Sequence, residues 1–314
     1  MGYARRISFS TALAWCFCLC VFVPGIAETF IVVSHGQAND PFWNVVKNGV
    51  DIAGKDMGVE VDYRAPETFD VVAMAQLIEA AVQQEPDGLI ISIPDGDALK
   101  GAVQKAVAAG IPVVSMNSGS DVAQELGVLF HVGQDEYDAG VGAGKRMKTL
   151  GVKKLVVINH EVGNVALDLR GQGVRDGFGG DVPIIPTAAN TVDDVYAKVK
   201  ATFQADDSID GVVTLGGSNA GEPALKALKE MGLAGDVALG TFDLSPAILE
   251  SLEAGQMTFA IDQQQFLQGY LPVVHLALYS RYKVLPGGDL PTGPGFVTQE
   301  NAADVISLSA KGLR

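Results

Sequence analysis

From Thr29 onward the chain alternates short β-branched runs with longer amphipathic stretches, and this alternation constrains the fold more than any other feature. The runs TFIVVS, VEVDY, GLIISI, IPVVSM, KLVVIN, GVVTL, VALGT and TFAID are nearly continuous in apolar character, as strands buried on both faces require. Between them apolar residues recur at three- and four-residue steps. Trp43, Val46, Val50, Ala53 and Met57 form one such series and Val71, Met74, Ile78 and Ala81 another, giving each helix a single core-facing stripe. Strand and helix in regular succession give parallel sheets covered by helices on both faces. The expected class is α/β.

The alternation has a seam near Gly133. Strands are expected to begin near Thr29, Val59, Gly88 and Ile111, and the order restarts with strands near Leu155, Ile184, Gly211 and Val237. With 314 residues the chain has room for about two domains of roughly 100–200 residues, so two similar doubly wound lobes are expected. A long helical segment from Leu267 to Val284 and a loop from Leu285 to Gly295, rich in proline and glycine, close the chain.

The first 27 residues are of another kind. Arg5 and Arg6 precede an apolar stretch from Ile7 to Val23, and Gly25-Ile26-Ala27 places small residues at the −3 and −1 positions of a cleavage site before Glu28. This is the pattern of a cleaved secretory signal peptide. The stretch falls short of the ~20 apolar residues that span a bilayer, and Ser8, Ser10 and Thr11 interrupt it. Neither Trp15 before Cys16 nor Leu19 before Cys20 is the small residue that lipid attachment needs. All three cysteines (Cys16, Cys18, Cys20) lie in the leader, so a mature chain starting at Glu28 has no disulfide, thiolate nucleophile or cysteine metal ligand. With 22 Lys+Arg against 37 Asp+Glu the formal charge is −15, which disfavours nucleic acid as a partner. A soluble, acidic, periplasmic protein is expected.

Catalytic and cofactor signatures fail on spacing. Gly140, Gly142, Gly144 and Lys145 resemble a phosphate loop, but Arg146 stands where Ser or Thr would hold magnesium, and close helix packing explains the glycines. His160-Glu161 begins like a zinc-protease helix, but Asn164 takes the second histidine's place. No catalytic residue, metal or cofactor is assigned.

Polar groups gather instead where open parallel sheets bind ligands, beyond the carboxyl ends of strands. The first strand exits into His35 through Trp43, IPVVSM into Asn117-Ser118, KLVVIN into His160 through Arg170, GVVTL into Gly216-Gly217-Ser218-Asn219, VALGT into Phe242-Asp243 and TFAI into Asp262-Gln263. A carboxylate takes two adjacent hydroxyl protons, Asn and Gln both give and take, and aromatic rings cover apolar C–H faces. This chemistry suits a small neutral polyhydroxylated ligand. Helix capping is the competing explanation for any single Asp or Asn at such a position.

The opening FIVVSHGQANDPFW, the segment PDGLIISIPDGDALKGAVQKAVAAGIPVVSMNS, the GTFDLSP turn and the late DQQQFLQGYLPV resemble the periplasmic sugar-binding proteins of ABC importers, of the ribose- and galactose-binding type. The resemblance covers Thr29 to Arg314. It implies two α/β lobes joined by three crossings near Gly133, Gln263 and Gly295. The N-terminal lobe would hold residues 28–133 and 264–295, and the C-terminal lobe residues 134–263 and 296–314, behind a signal peptide of residues 1–27. A ligand clamped between the lobes would be delivered to a membrane permease by a monomeric, non-catalytic protein. A sensor component serving a chemoreceptor or sensor kinase, and a secreted sugar-acting enzyme, are the alternatives.

Carried over position by position, the resemblance implies binding roles for Asp40, Phe42 and Trp43, for Asn117 where ribose binders show Asp-Arg, for Asp168 in place of an arginine with Arg170 two residues on, for Asn190 in place of an aromatic, and for Asp243 and Gln263. Losing two arginines and an aromatic changes the donor and acceptor pattern, so a ligand other than ribose is expected. An acidic or phosphorylated sugar would require Arg170 to turn inward.

Overall fold

The computed structural model describes residues 1–2, 28–36, 40–187 and 191–314. The expected signal peptide with its three cysteines, and Asn190, lie outside the described residues. Among the described residues no helix is long and apolar enough to cross a membrane.

The first sheet joins β1 (Thr29–Val33), β2 (Glu60–Arg64), β3 (Gly88–Ile91), β4 (Val113–Met116), β5 (His131–Gly133) and β11 (Leu290–Pro291) in the order β11-β5-β4-β3-β1-β2. The second joins β6 (Leu155–Asn159), β7 (Ile184–Pro186), β8 (Gly211–Thr214), β9 (Ala238–Phe242), β10 (Phe259–Asp262) and β12 (Gly295–Val297) in the order β12-β10-β9-β8-β6-β7. The two orders are the same winding repeated. All pairings are parallel except β12 on β10, an antiparallel edge that strand-helix alternation could not foretell. Central strands β3, β6, β8 and β10 are buried at every residue, whereas edge strand β2 (EVDYR) is half exposed and tolerates its charges.

Helices cover both faces of each sheet. The N-terminal sheet carries α1 (Pro41–Met57) and α9 (Gln265–Tyr282) on one side and α2 (Val71–Val82) and α3 (Gly96–Ala108) on the other. The C-terminal sheet carries α4 (Glu136–Thr149) and α5 (Val165–Phe178) on one side, and α6 (Val192–Ala205), α7 (Glu222–Glu230), α8 (Pro246–Glu253) and α10 (Ala302–Ser309) on the other. Of the three glycines that mimic a phosphate loop, Gly140 and Gly144 serve helix packing, while Gly142 faces the Phe296 ring. A Cβ on Gly140 would lie 2.2 Å from the Arg170 carbonyl oxygen, and one on Gly144 equally close to that of Val174, so α4 and α5 meet backbone to backbone. Gly49 and Gly269 do the same for α1 and α9.

The chain passes between the sheets after β5, after β10 and between β11 and β12. Bringing the carboxyl ends of the two sheets face to face creates the cleft.

Candidate functional site

Each wall of the cleft is a set of strand-to-helix loops. From the N-terminal lobe come His35, Asp40, Phe42 and Trp43 after β1 and Asn117 after β4. From the C-terminal lobe come His160, Glu161, Asn164, Leu167 and Arg170 after β6, Leu215 through Asn219 after β8, and Asp243 and Leu244 after β9. Gln263, just past β10, completes the lining. The space between these walls, its solvent-open mouth included, is about 550 Å³.

Asp40 does two things at once. Its Oδ1 accepts from the Phe42 backbone N–H at 2.9 Å, capping α1, while Oδ2 accepts from Asn219 Nδ2 of the other lobe at 3.1 Å. Capping and cleft chemistry are therefore not alternatives at this residue. Trp43 is likewise shared: it lies in the core against the first sheet, lines the cleft, and meets the His35 and Phe42 rings edge to face at 4.8 and 5.2 Å.

Asp243 differs. The N-cap of α8 is Ser245, whose hydroxyl accepts from the Ile248 N–H at 3.1 Å, so Asp243 is released from capping. It sits in the left-handed region at φ 69° and accepts a hydrogen bond from Gln263 Nε2. Asn117 donates from Nδ2 to Gln263 Oε1 at 3.3 Å and to Gln268 Oε1 at 3.1 Å.

Burial sets the protonation of the site. Desolvation pushes Asp40 up to about 6, against the stabilising Phe42 N–H. Asp243 also rises to about 6 through burial, opposed by the Arg170 charge. Burial drives His35 down to about 4 and lowers His160, so both imidazoles are neutral near pH 7. Among the described residues the buried His160 Nδ1 has no hydrogen-bond partner, and a Cβ on Gly216 would lie 2.4 Å from His160 Cε1.

Arg170 reaches the cleft wall, but its charge is already matched. Nε and Nη2 donate to the two carboxylate oxygens of Glu136 at 2.5 and 2.9 Å, Nη1 donates to the Leu215 carbonyl at 2.9 Å, and the guanidinium lies 4.7 Å from the Phe242 ring centroid.

Of the residues assigned to the site from the sequence, Asp40, Phe42, Trp43, Asn117, Arg170, Asp243 and Gln263 line the cleft. Asp168 does not. It is exposed and accepts from Asn159 Nδ2 at 3.1 Å, because two residues along a helix turn a side chain roughly 200° away from Arg170. Asn190 lies outside the described residues. The cleft also holds His35, His160, Glu161, Asn164 and Asn219. All five fall in segments that the strand-end rule marks, four in loops and Asn219 in the π-helical turn Gly217–Gly221, and such irregular segments follow no periodicity that would show which side chains turn inward.

A periplasmic binding protein domain matches residues 30–282. A carbohydrate transporter from Acidothermus cellulolyticus 11B, solved in complex with myo-inositol, is 35% identical with a TM-score of 0.87, over 92% of this chain and 100% of that one. The xylose/arabinose-binding protein of Sulfolobus acidocaldarius is 27% identical over 298 residues, 89% of this chain and 73% of that protein. The D-allose-binding periplasmic protein of Escherichia coli is 25% identical over 249 residues, 76% of this chain and 79% of that protein. The chain belongs to the periplasmic binding protein family, a family of extracytoplasmic solute-binding proteins.

Proposed function

We propose that this periplasmic binding protein captures a neutral cyclic polyol or monosaccharide between its lobes and delivers it to the permease of an ABC importer, with no chemistry of its own. The pairing of Arg170 with Glu136 carries the neutral reading. It leaves the cleft with carboxylates and amides as its main partners and no net positive charge on the Arg170–Glu136 pair to attract an anion. Asp40 and Asp243 accept hydroxyl protons, Asn117, Asn164, Asn219 and Gln263 both give and accept, and Phe42 and Trp43 cover ring C–H groups. The myo-inositol held by the Acidothermus relative is a ligand of this chemical kind.

In this reading the leader is removed after Ala27, the mature protein is a periplasmic monomer, and the lobes pivot about the crossings near Gly133, Gln263 and Gly295. Intact-mass analysis of the exported protein should give an N-terminus at Glu28. Retention of the leader, or a lipid on Cys16, would contradict this location.

A thermal-shift panel of cyclitols, pyranoses, sugar acids and sugar phosphates tests the function. A ligand at 100 times Kd adds about 2.7 kcal/mol of stability. Neutral polyols should raise the melting temperature. Stabilisation by sugar acids or phosphates alone would overturn the reading.

A further inference from the structure

The Arg170–Glu136 pair has a feature that ligand contact does not require. Glu136 is not on the cleft wall; it lies in the first turn of α4, just past the first crossing between sheets. Both side chains are almost completely buried, 4% exposed for Arg170 and 2% for Glu136. Gln134 Nε2 donates a further bond to Glu136 Oε2 at 2.9 Å, fixing the carboxylate from behind. A guanidinium has five N–H donors. Among the described residues Glu136 takes two and the Leu215 carbonyl one, so two N–H groups remain without a partner there.

We infer that Glu136 is the specificity-determining residue that sets the charge class of the ligand. From outside the cleft it supplies the negative charge that a ligand carboxylate would otherwise bring to Arg170. A neutral ligand then meets only hydrogen-bond donors at Arg170. An anionic ligand finds a compensated cation beside Glu161 and Asp243, in a cleft that also holds Asp40, and is rejected. Specificity here comes from a carboxylate that the ligand never touches. This rests on the neutral-ligand reading above and deepens it.

The test uses the full mature chain and two probes that differ only in charge, D-glucuronate and its uncharged amide D-glucuronamide. Glu136→Gln removes the charge with little change of shape, leaving Arg170 a buried cation short of its anion. The affinity ratio of glucuronate to glucuronamide should rise by on the order of tenfold or more over wild type. Glucuronate should also restore melting temperature to the variant, because its carboxylate compensates the Arg170 charge from the cleft side. Glu136→Met serves as a second variant if Glu136→Gln does not fold. Absence of glucuronate binding by a folded Glu136 variant, or a ratio equal to that of wild type, overturns the inference. Failure of wild type to bind any neutral polyol contradicts the parent reading separately.

Discussion

Asn117 and Asp243 occupy the same place in the two lobes. Each is the first residue after the third strand counted from the crossing edge of its sheet, and each is a non-glycine residue in the left-handed region, at φ 63° and 69°. That conformation is uncommon outside glycine, and Asn and Asp tolerate it best. It turns both side chains into the cleft, where Gln263 joins them: its Oε1 accepts from Asn117 and its Nε2 donates to Asp243.

Removing that joint should be felt on both sides. Gln263→Ala leaves the Asp243 carboxylate and the Asn117 amide each short of a buried partner, at a cost of roughly 1–3 kcal/mol. Chemical denaturation should show the loss of stability, and a titration with the bound polyol a loss of affinity. Unchanged values in both would mean that the amide is dispensable.

The two cleft carboxylates give stability and affinity opposite pH trends. Asp40 and Asp243 stand at about 6 in the folded protein against an ordinary 3.8. Because the folded values are raised, their contribution to stability is fully present below the ordinary value and is lost as pH rises through about 6. Ligand hydroxyls favour the ionised carboxylates, so affinity should be level above pH 7 and fall below pH 6, by up to roughly tenfold per unit for each carboxylate. Calorimetry across pH 4.5–8 measures this, and an affinity that does not change through pH 6 would refute it. Asp40→Asn should flatten part of the profile.

Contacts across the cleft lead to an expectation about shape. Asp40 with Asn219 at 3.1 Å, and the Val165 N–H with the Pro94 carbonyl at 2.9 Å, join the lobes in this structure, and neither contact survives if they separate. Hinge closure about a bound ligand is the family's established motion. A ligand touching both lobes binds the closed form better, so small-angle scattering should show a smaller radius of gyration at saturation. Asn219→Ala should weaken binding by roughly 1 kcal/mol through a less favoured closed state. Superimposable scattering curves with and without ligand would count against a clamp.

The helix contacts are testable by size alone. Gly144→Ala drives a methyl to 2.2 Å from the Val174 carbonyl and should destabilise the protein by about 1–3 kcal/mol. Gly101→Ala on α3 meets no atom within 4 Å and should be neutral or slightly stabilising. Equal melting temperatures for the two variants would show that α4 and α5 can move apart freely.

What was legible in the sequence follows from what periodicity records. β3, β6 and β8 are continuous apolar runs, and α1 shows its stripe from Trp43 to Ala53, because burial alone dictates those residues. β5, β11 and β12 went unseen: each is two or three residues long and is a strand only because a neighbouring strand pairs with it. In the cleft, strand ends located the loops, but two residues' phase on α5 separates Arg170, which faces in, from Asp168, which does not. The Glu136 partnership was invisible because it joins α4 to α5 across 34 positions of sequence.

Calorimetric titration of wild type and Asp243→Ala with the polyol that most stabilises wild type, alongside their melting curves, tests the cleft assignment most directly. Loss of a desolvated carboxylate that accepts ligand hydroxyls should cost roughly 2–4 kcal/mol, or about 30-fold to 1,000-fold in affinity. Ser245 already caps α8, so the melting temperature of the ligand-free variant should not fall as it would on loss of a cap, which costs about 1 kcal/mol. Near-normal affinity with a lowered melting temperature would contradict the assignment.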